Sequence, residues 1–122
     1  MPHIIVDHSK NLTDNGLNMD ALLTILSTTA VATGLFPESG LRARAIPCEH
    51  FRVGNGDPNN GFVNVSMRVG KGRDIEARQA AGQTIFEAFK AFMAPTMANH
   101  PVALSFEMRE LDEHVKFNFK NI

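Results

Sequence analysis

The order strand, helix, strand occurs twice in this chain, and that doubling restricts the fold more than any other feature. The first unit opens with the β-branched run Ile4, Ile5 and Val6, directly after Pro2, a residue tolerated at the start of a strand. The polar stretch from Ser9 to Asn18 reads as a loop. A helix is predicted from about Met19 to Thr33, with Asn18 as N-cap and an apolar stripe of Leu22, Leu23, Leu26 and Ala30. Gly34 stops it and Pro37 lies beyond the stop. Leu41 to Ile46 reads as the second strand.

After a connector over 47–61, dense in the turn residues Asn55, Gly56, Asp57, Pro58, Asn59 and Asn60, the pattern recurs. Phe62, Val63, Val65, Met67 and Val69 predict a strand, and Gly70 to Arg73 a loop. Asp74 is placed to cap a helix from about Ile75 to Met93, with a stripe of Ile75, Ile85, Phe86, Phe89, Phe92 and Met93. Pro95 is expected at or just past its end, and Val102 to Met108 forms another strand. In the tail, 111–122, Val115, Phe117, Phe119 and Ile122 alternate with polar residues, as an edge strand or an interface arm would.

Each helix is long enough for a parallel crossover. The expected architecture is therefore α+β: two β-α-β repeats, about 2–46 and 62–110, forming one four-stranded sheet in a single domain over 1–122. Both helices would lie on one face. The other face is expected to carry apolar residues that need burial, so the chain should assemble as an oligomer.

Composition excludes several classes. Apolar residues make up 43% of the chain, a globular value, so disorder is not expected. A net charge of −1 without a run of Lys or Arg argues against nucleic acid as a partner. Cys48 is the only cysteine, so no disulfide can form within the chain, and it reads as a half-buried structural thiol. The N-terminal residues lack the pattern of a signal peptide, and Ala21 to Phe36 is too short and too polar to span a membrane. A cytoplasmic setting is the expectation.

Four groups of residues can carry chemistry. Removal of Met1, normal before a small residue, would leave Pro2 as a free secondary amine. An α-amino group has an ordinary pKa of about 7.7–8.0. Cationic neighbours and an apolar surrounding both lower it, making a neutral amine available as a general base for a carbon acid. Arg42 and Arg44, two apart on a strand, share a face and can clamp a carboxylate, with Ala43 and Ala45 opposite. Arg73 lies in the loop before the second helix, where Gly70 and Gly72 let backbone approach a ligand. His3, next to the terminal amine, could shape a pocket. The other histidines, His8, His50, His100 and His114, show no metal-ligand spacing, and no metal is expected.

These signals together resemble the tautomerase superfamily, whose fold is that of 4-oxalocrotonate tautomerase and macrophage migration inhibitory factor. The closer likeness is to the 5-carboxymethyl-2-hydroxymuconate isomerase family. It is carried by residues 1–6 (MPHIIV), 32–37 (ATGLFP), 40–44 (GLRAR), 70–79 (GKGRDIEARQ) and 103–107 (ALSFE). The resemblance implies a homotrimer without cofactor, with active sites near subunit boundaries. It implies that Pro2 moves a proton between carbons of an unsaturated hydroxy or oxo polycarboxylate in the catabolism of homoprotocatechuate (4-hydroxyphenylacetate). Arg42 and Arg73 would bind carboxylates or the developing dienolate charge. Arg44 matches an arginine of the family pattern without an assigned role. Other readings of the same scaffold are another tautomerase activity, such as that of a phenylpyruvate tautomerase, and a non-enzymatic oligomeric binding protein.

Overall fold

Alternation of apolar and polar residues sets the layers of this protein. A computed structural model describes residues 2–122. The expected removal of Met1 falls outside the described residues. The strands are β1 (His3–Ser9), β2 (Arg42–Cys48), β3 (Gly61–Val69) and β4 (Val102–Glu110). The helices are α1 (Lys10–Asp14), α2 (Met19–Ala32) and α3 (Ile75–Met97). One sheet holds the strands in the order β2-β1-β3-β4. β1 is parallel to β2 and β3 to β4, while β1 and β3 are antiparallel. Two β-α-β units thus meet along β1 and β3, as the doubled pattern predicts.

Every second strand residue faces the helices. Ile4 and Val6 of β1 and Val63, Val65, Met67 and Val69 of β3 are buried there against Leu22, Leu26 and Ala30 of α2 and Ala81, Ile85, Phe89 and Met93 of α3. Ala43 and Ala45 of β2 and Leu104, Phe106 and Met108 of β4 close the edges of this core. The Asn18 side chain accepts the Ala21 amide at 3.0 Å, the predicted N-cap of α2.

Several local expectations need correction. The presumed loop after β1 contains α1, because Leu12 is buried beneath it and Asn11 Nδ2 donates to the carbonyls of Pro58 and Asn60, tying the connector down. β2 runs on through Pro47 and Cys48: as an edge strand it tolerates a residue without N–H. Asp74 sits at the N-cap position of α3, but its side chain makes no capping bond. Pro95 lies inside α3, which continues to Met97; Ala98 N still donates to Ala94 O at 3.0 Å, so the last turn closes despite the missing proline donor. Ile75 of the predicted stripe is exposed. The tail forms only a 3-10 turn at Glu113–Val115, and no strand of the described sheet includes it.

The helix-free face carries the expected apolar residues, Ile5, Ile46, Phe62 and Ala103, but polar residues outnumber them. Register places His3, Ile5 and Asp7 of β1 there, with Arg42, Arg44, Ile46 and Cys48 of β2. Phe62, Asn64, Ser66 and Arg68 of β3 and Ala103, Ser105, Glu107 and Arg109 of β4 complete it. A hydrogen-bonded ladder crosses its middle. Asn64 Nδ2 donates to Asp7 and Ser66, Ser105 Oγ donates to Asn64 Oδ1 at 2.7 Å, and Ser66 Oγ donates to Glu107. Which face the apolar strand residues take depends on parity, and parity puts most of them inward.

Candidate active site

All four strands bring basic residues to the same end of the sheet. The starts of β1 and β2 lie beside the ends of β3 and β4. Arg42 pairs with His3, His3 with Arg68, and Arg68 with Arg109, so four basic side chains form one row across the helix-free face. Pro2 immediately precedes His3 at the start of β1. It is buried, and its carbonyl accepts the Arg42 amide at 3.0 Å, which fixes the entry of β1 to that of β2.

His3 is the centre of the row. Arg44 Nη1 lies 3.2 Å from His3 Nδ1. A guanidinium can only donate, so Nδ1 accepts and the imidazole is neutral with its proton on Nε2. Burial holds the His3 pKa below the ordinary imidazole value, and the positive charges of Arg44, Arg68 and Arg42 act in the same direction. The predicted shared face of Arg42 and Arg44 is present, with Ala43 and Ala45 packed toward the core. Arg42 Nη1 also donates to the Gly40 carbonyl at 3.2 Å.

Arg73 is built in differently. Its Nε donates to the Leu35 carbonyl at 3.0 Å and its Nη1 to the Gly70 carbonyl at 3.0 Å. The guanidinium lies over the buried Phe36 ring, 5.0 Å from the centroid. Arg73 therefore clasps the segment after α2 to the loop after β3. Gly72 makes that loop by its positive φ of 119°, a conformation L side chains rarely adopt. Arg78 Nε donates to the Arg73 carbonyl at 3.4 Å and Arg78 Nη2 lies 3.6 Å from Glu110, extending the clasp to β4. The end of the sheet where Pro2 begins is thus bordered by Arg73 and its loop as well as by the basic row.

Sequence reasoning missed Arg68. Its neighbours Met67 and Val69 carry the strand signal, and nothing local distinguishes it from a solvated arginine. The register between β1 and β3, which no pattern in the sequence specifies, is what sets it opposite His3. No group of three or more His, Cys, Asp or Glu side chains among the described residues is arranged to hold a metal. No described helix is long and apolar enough to cross a membrane.

Comparison with known proteins places this geometry in a family. The family model of 5-carboxymethyl-2-hydroxymuconate isomerase matches residues 2–122. The chain belongs to that family. It is 36% identical over 120 residues to the 5-carboxymethyl-2-hydroxymuconate Delta-isomerase of Escherichia coli, covering 98% of this chain and 93% of the relative. The fold matches a crystal structure of 5-carboxymethyl-2-hydroxymuconate delta-isomerase with a TM-score of 0.91 at 29% identity, over 99% of this chain and 89% of the other. A crystal structure of a 5-carboxymethyl-2-hydroxymuconate isomerase from Deinococcus radiodurans R1 matches equally, with a TM-score of 0.91 at 26% identity, over 98% and 90%. Family membership extends from the residue after Met1 to the C-terminus, so Pro2, Arg42, Arg44 and Arg73 all lie within the matched range.

Proposed function

We propose that this protein is a cofactor-independent isomerase of 5-carboxymethyl-2-hydroxymuconate and that Pro2, freed of Met1, is its base. Membership of the family over residues 2–122 carries the reading of the activity. The basic row at the head of β1 supports the reading of the site. From the 2-oxo tautomer of that substrate, a neutral secondary amine there takes a proton from the carbon next to the carbonyl. The electrons move into the conjugated oxygen, forming a dienolate, and the resulting ammonium returns the proton at another carbon. Arg42 and Arg73 hold carboxylates and stabilise the charge as it develops, an interaction stronger in the transition state than in the substrate. The guanidinium groups also favour the neutral amine over its protonated form, so one electrostatic arrangement serves both base and substrate.

A trimer with sites near its subunit boundaries completes this reading. Phe117 and Phe119 in the tail are 89% and 99% exposed, and Ile46 on the helix-free face is 49% exposed, apolar surface that partner subunits would cover. The protein would act in the cytoplasm, in the catabolism of homoprotocatechuate. The density of basic groups favours a polycarboxylate over phenylpyruvate, which has one carboxylate.

Intact-mass measurement combined with a spectrophotometric assay of the isomerisation tests the proposal. Protein lacking Met1 should convert 5-carboxymethyl-2-hydroxymuconate faster than phenylpyruvate. A sample with free Pro2 that converts neither would leave the oligomeric binding protein as the better reading.

A further inference from the structure

Arg68 is the member of the basic row that the fold does not explain. Arg109 pairs with Glu107 at 3.2 Å, Arg42 donates to Gly40, and Arg44 donates to His3. The Arg68 side chain makes no hydrogen bond or ion pair among the described residues. It is exposed on the helix-free face, directly opposite His3 on one side and Arg109 on the other. Like charges placed opposite one another on neighbouring strands destabilise a sheet. This arrangement therefore needs a reason, and the chemistry of the neighbours supplies one.

His3 presents an Nε2–H donor, since Arg44 occupies Nδ1. Paired residues on adjacent strands have Cβ atoms about 4.5–5.5 Å apart. A guanidinium fork and an imidazole N–H at that spacing can both reach one carboxylate, whose two oxygens accept from several donors. The ligand class follows from the proposed substrate, on which this inference rests. A muconate has a carboxylate at each end of its diene, and the carboxymethyl branch adds a third. Arg42 and Arg73 account for the two ends. The branch still needs a cation.

We propose that Arg68, together with the Nε2–H of His3, binds the carboxymethyl carboxylate and makes the enzyme select the branched triacid. Arg44 is then a positioning residue: it holds the imidazole in the tautomer that can donate. The face left without helices is a recognition surface at this end, and the row of positive groups is balanced when substrate arrives.

The test compares two substrates in Met1-free protein: 5-carboxymethyl-2-hydroxymuconate and 2-hydroxymuconate, which lacks the branch. The ratio of their kcat/KM values reads the selectivity. Arg68→Ala should lower that ratio at least tenfold, mainly through KM for the triacid, and Arg68→Lys should restore part of it. Thermal unfolding of both variants verifies that they fold. An unchanged ratio in Arg68→Ala, whether both activities persist or both fall together, would overturn the assignment. Wild-type protein with free Pro2 that fails to convert the triacid would instead defeat the proposed function itself, and this inference with it.

Discussion

Arg44 Nη1 and His3 Nδ1 meet at 3.2 Å across β2 and β1, and this contact fixes the protonation state of the only imidazole in the basic row. It also predicts a measurable titration. In ¹⁵N-resolved NMR, His3 should appear as the Nε2–H tautomer and should titrate below the ordinary histidine value. Burial is the main cause, followed by Arg44, Arg68 and Arg42. Because the folded-state pKa is depressed, the unfolded chain takes up the proton first as pH falls. Stability should therefore hold above an unfolded pKa of about 6.5 and decline as pH drops through the folded value. His3→Gln should flatten that decline in denaturant titrations run between neutral and mildly acidic pH. An equally steep loss in the variant would place the acid sensitivity elsewhere.

Arg73 should matter for stability as well as for catalysis, unlike an ordinary loop arginine. Arg73→Ala leaves the Leu35 and Gly70 carbonyls without their charged donor and uncovers Phe36. Loss of a charge-assisted hydrogen bond costs about 1.5–3 kcal/mol, and partial solvent access puts the expected destabilisation at the lower end of that range. If Arg73 also holds a carboxylate, kcat/KM should fall by roughly tenfold or more in a variant that remains folded at the assay temperature. A full loss of activity that tracks unfolding would make it purely a clasp.

Arg42→Ala should separate the two roles. Its backbone N–H donates to the Pro2 carbonyl whatever the side chain, so the entry of β1 stays fixed. Activity on the triacid should fall by about tenfold or more per lost contact. An unchanged kcat/KM in the folded Arg42→Ala variant would take Arg42 out of substrate binding.

How much of this was legible beforehand depends on the range over which each signal acts. The stripe Leu22, Leu26 and Ala30 and the Asn18 cap are set within a few residues, and both are present as predicted. The doubled β-α-β order fixed the parallel pairs, because a crossover helix permits little else. The antiparallel meeting of β1 with β3 joins residues far apart in sequence, and on it depends the row containing His3 and Arg68. That is why Arg42 and Arg44 could be recognised as sharing a face while Arg68 could not be joined to them. Proline rules failed twice, at Pro47 and Pro95, where an edge position and a helix's last turns remove most of the penalty.

Assembly should show in sedimentation. The proposed trimer predicts about three chains per particle at micromolar concentration. Phe117→Asp and Phe119→Asp place charge on the tail's exposed apolar side chains and should shift the equilibrium toward smaller species if the tail is an interface arm. A tail variant that stays trimeric would move the interface to the sheet, where Ile46 and Phe62 are the apolar candidates.

The Pro2 mechanism makes the sharpest claim, because the base is a main-chain nitrogen with no rotamer to change. kcat/KM should rise with pH through one ionisation, that of the free amine. Its midpoint should lie below the value of about 7.7–8.0 for an exposed α-amino group. Burial of Pro2 and the positive charge of the arginine row act in the same direction, both disfavouring the ammonium. Arg42→Ala should then move the midpoint upward, toward the exposed value, in addition to weakening binding. Pro2→Ala keeps a primary amine near the same place and should retain a residual rate. A homogeneous sample that keeps Met1 has an amide nitrogen at Pro2, without a basic lone pair, and should be inactive. Full activity in that sample would assign the proton transfer to another group, and the rise of kcat/KM with pH would then have to persist unchanged when Pro2 is blocked.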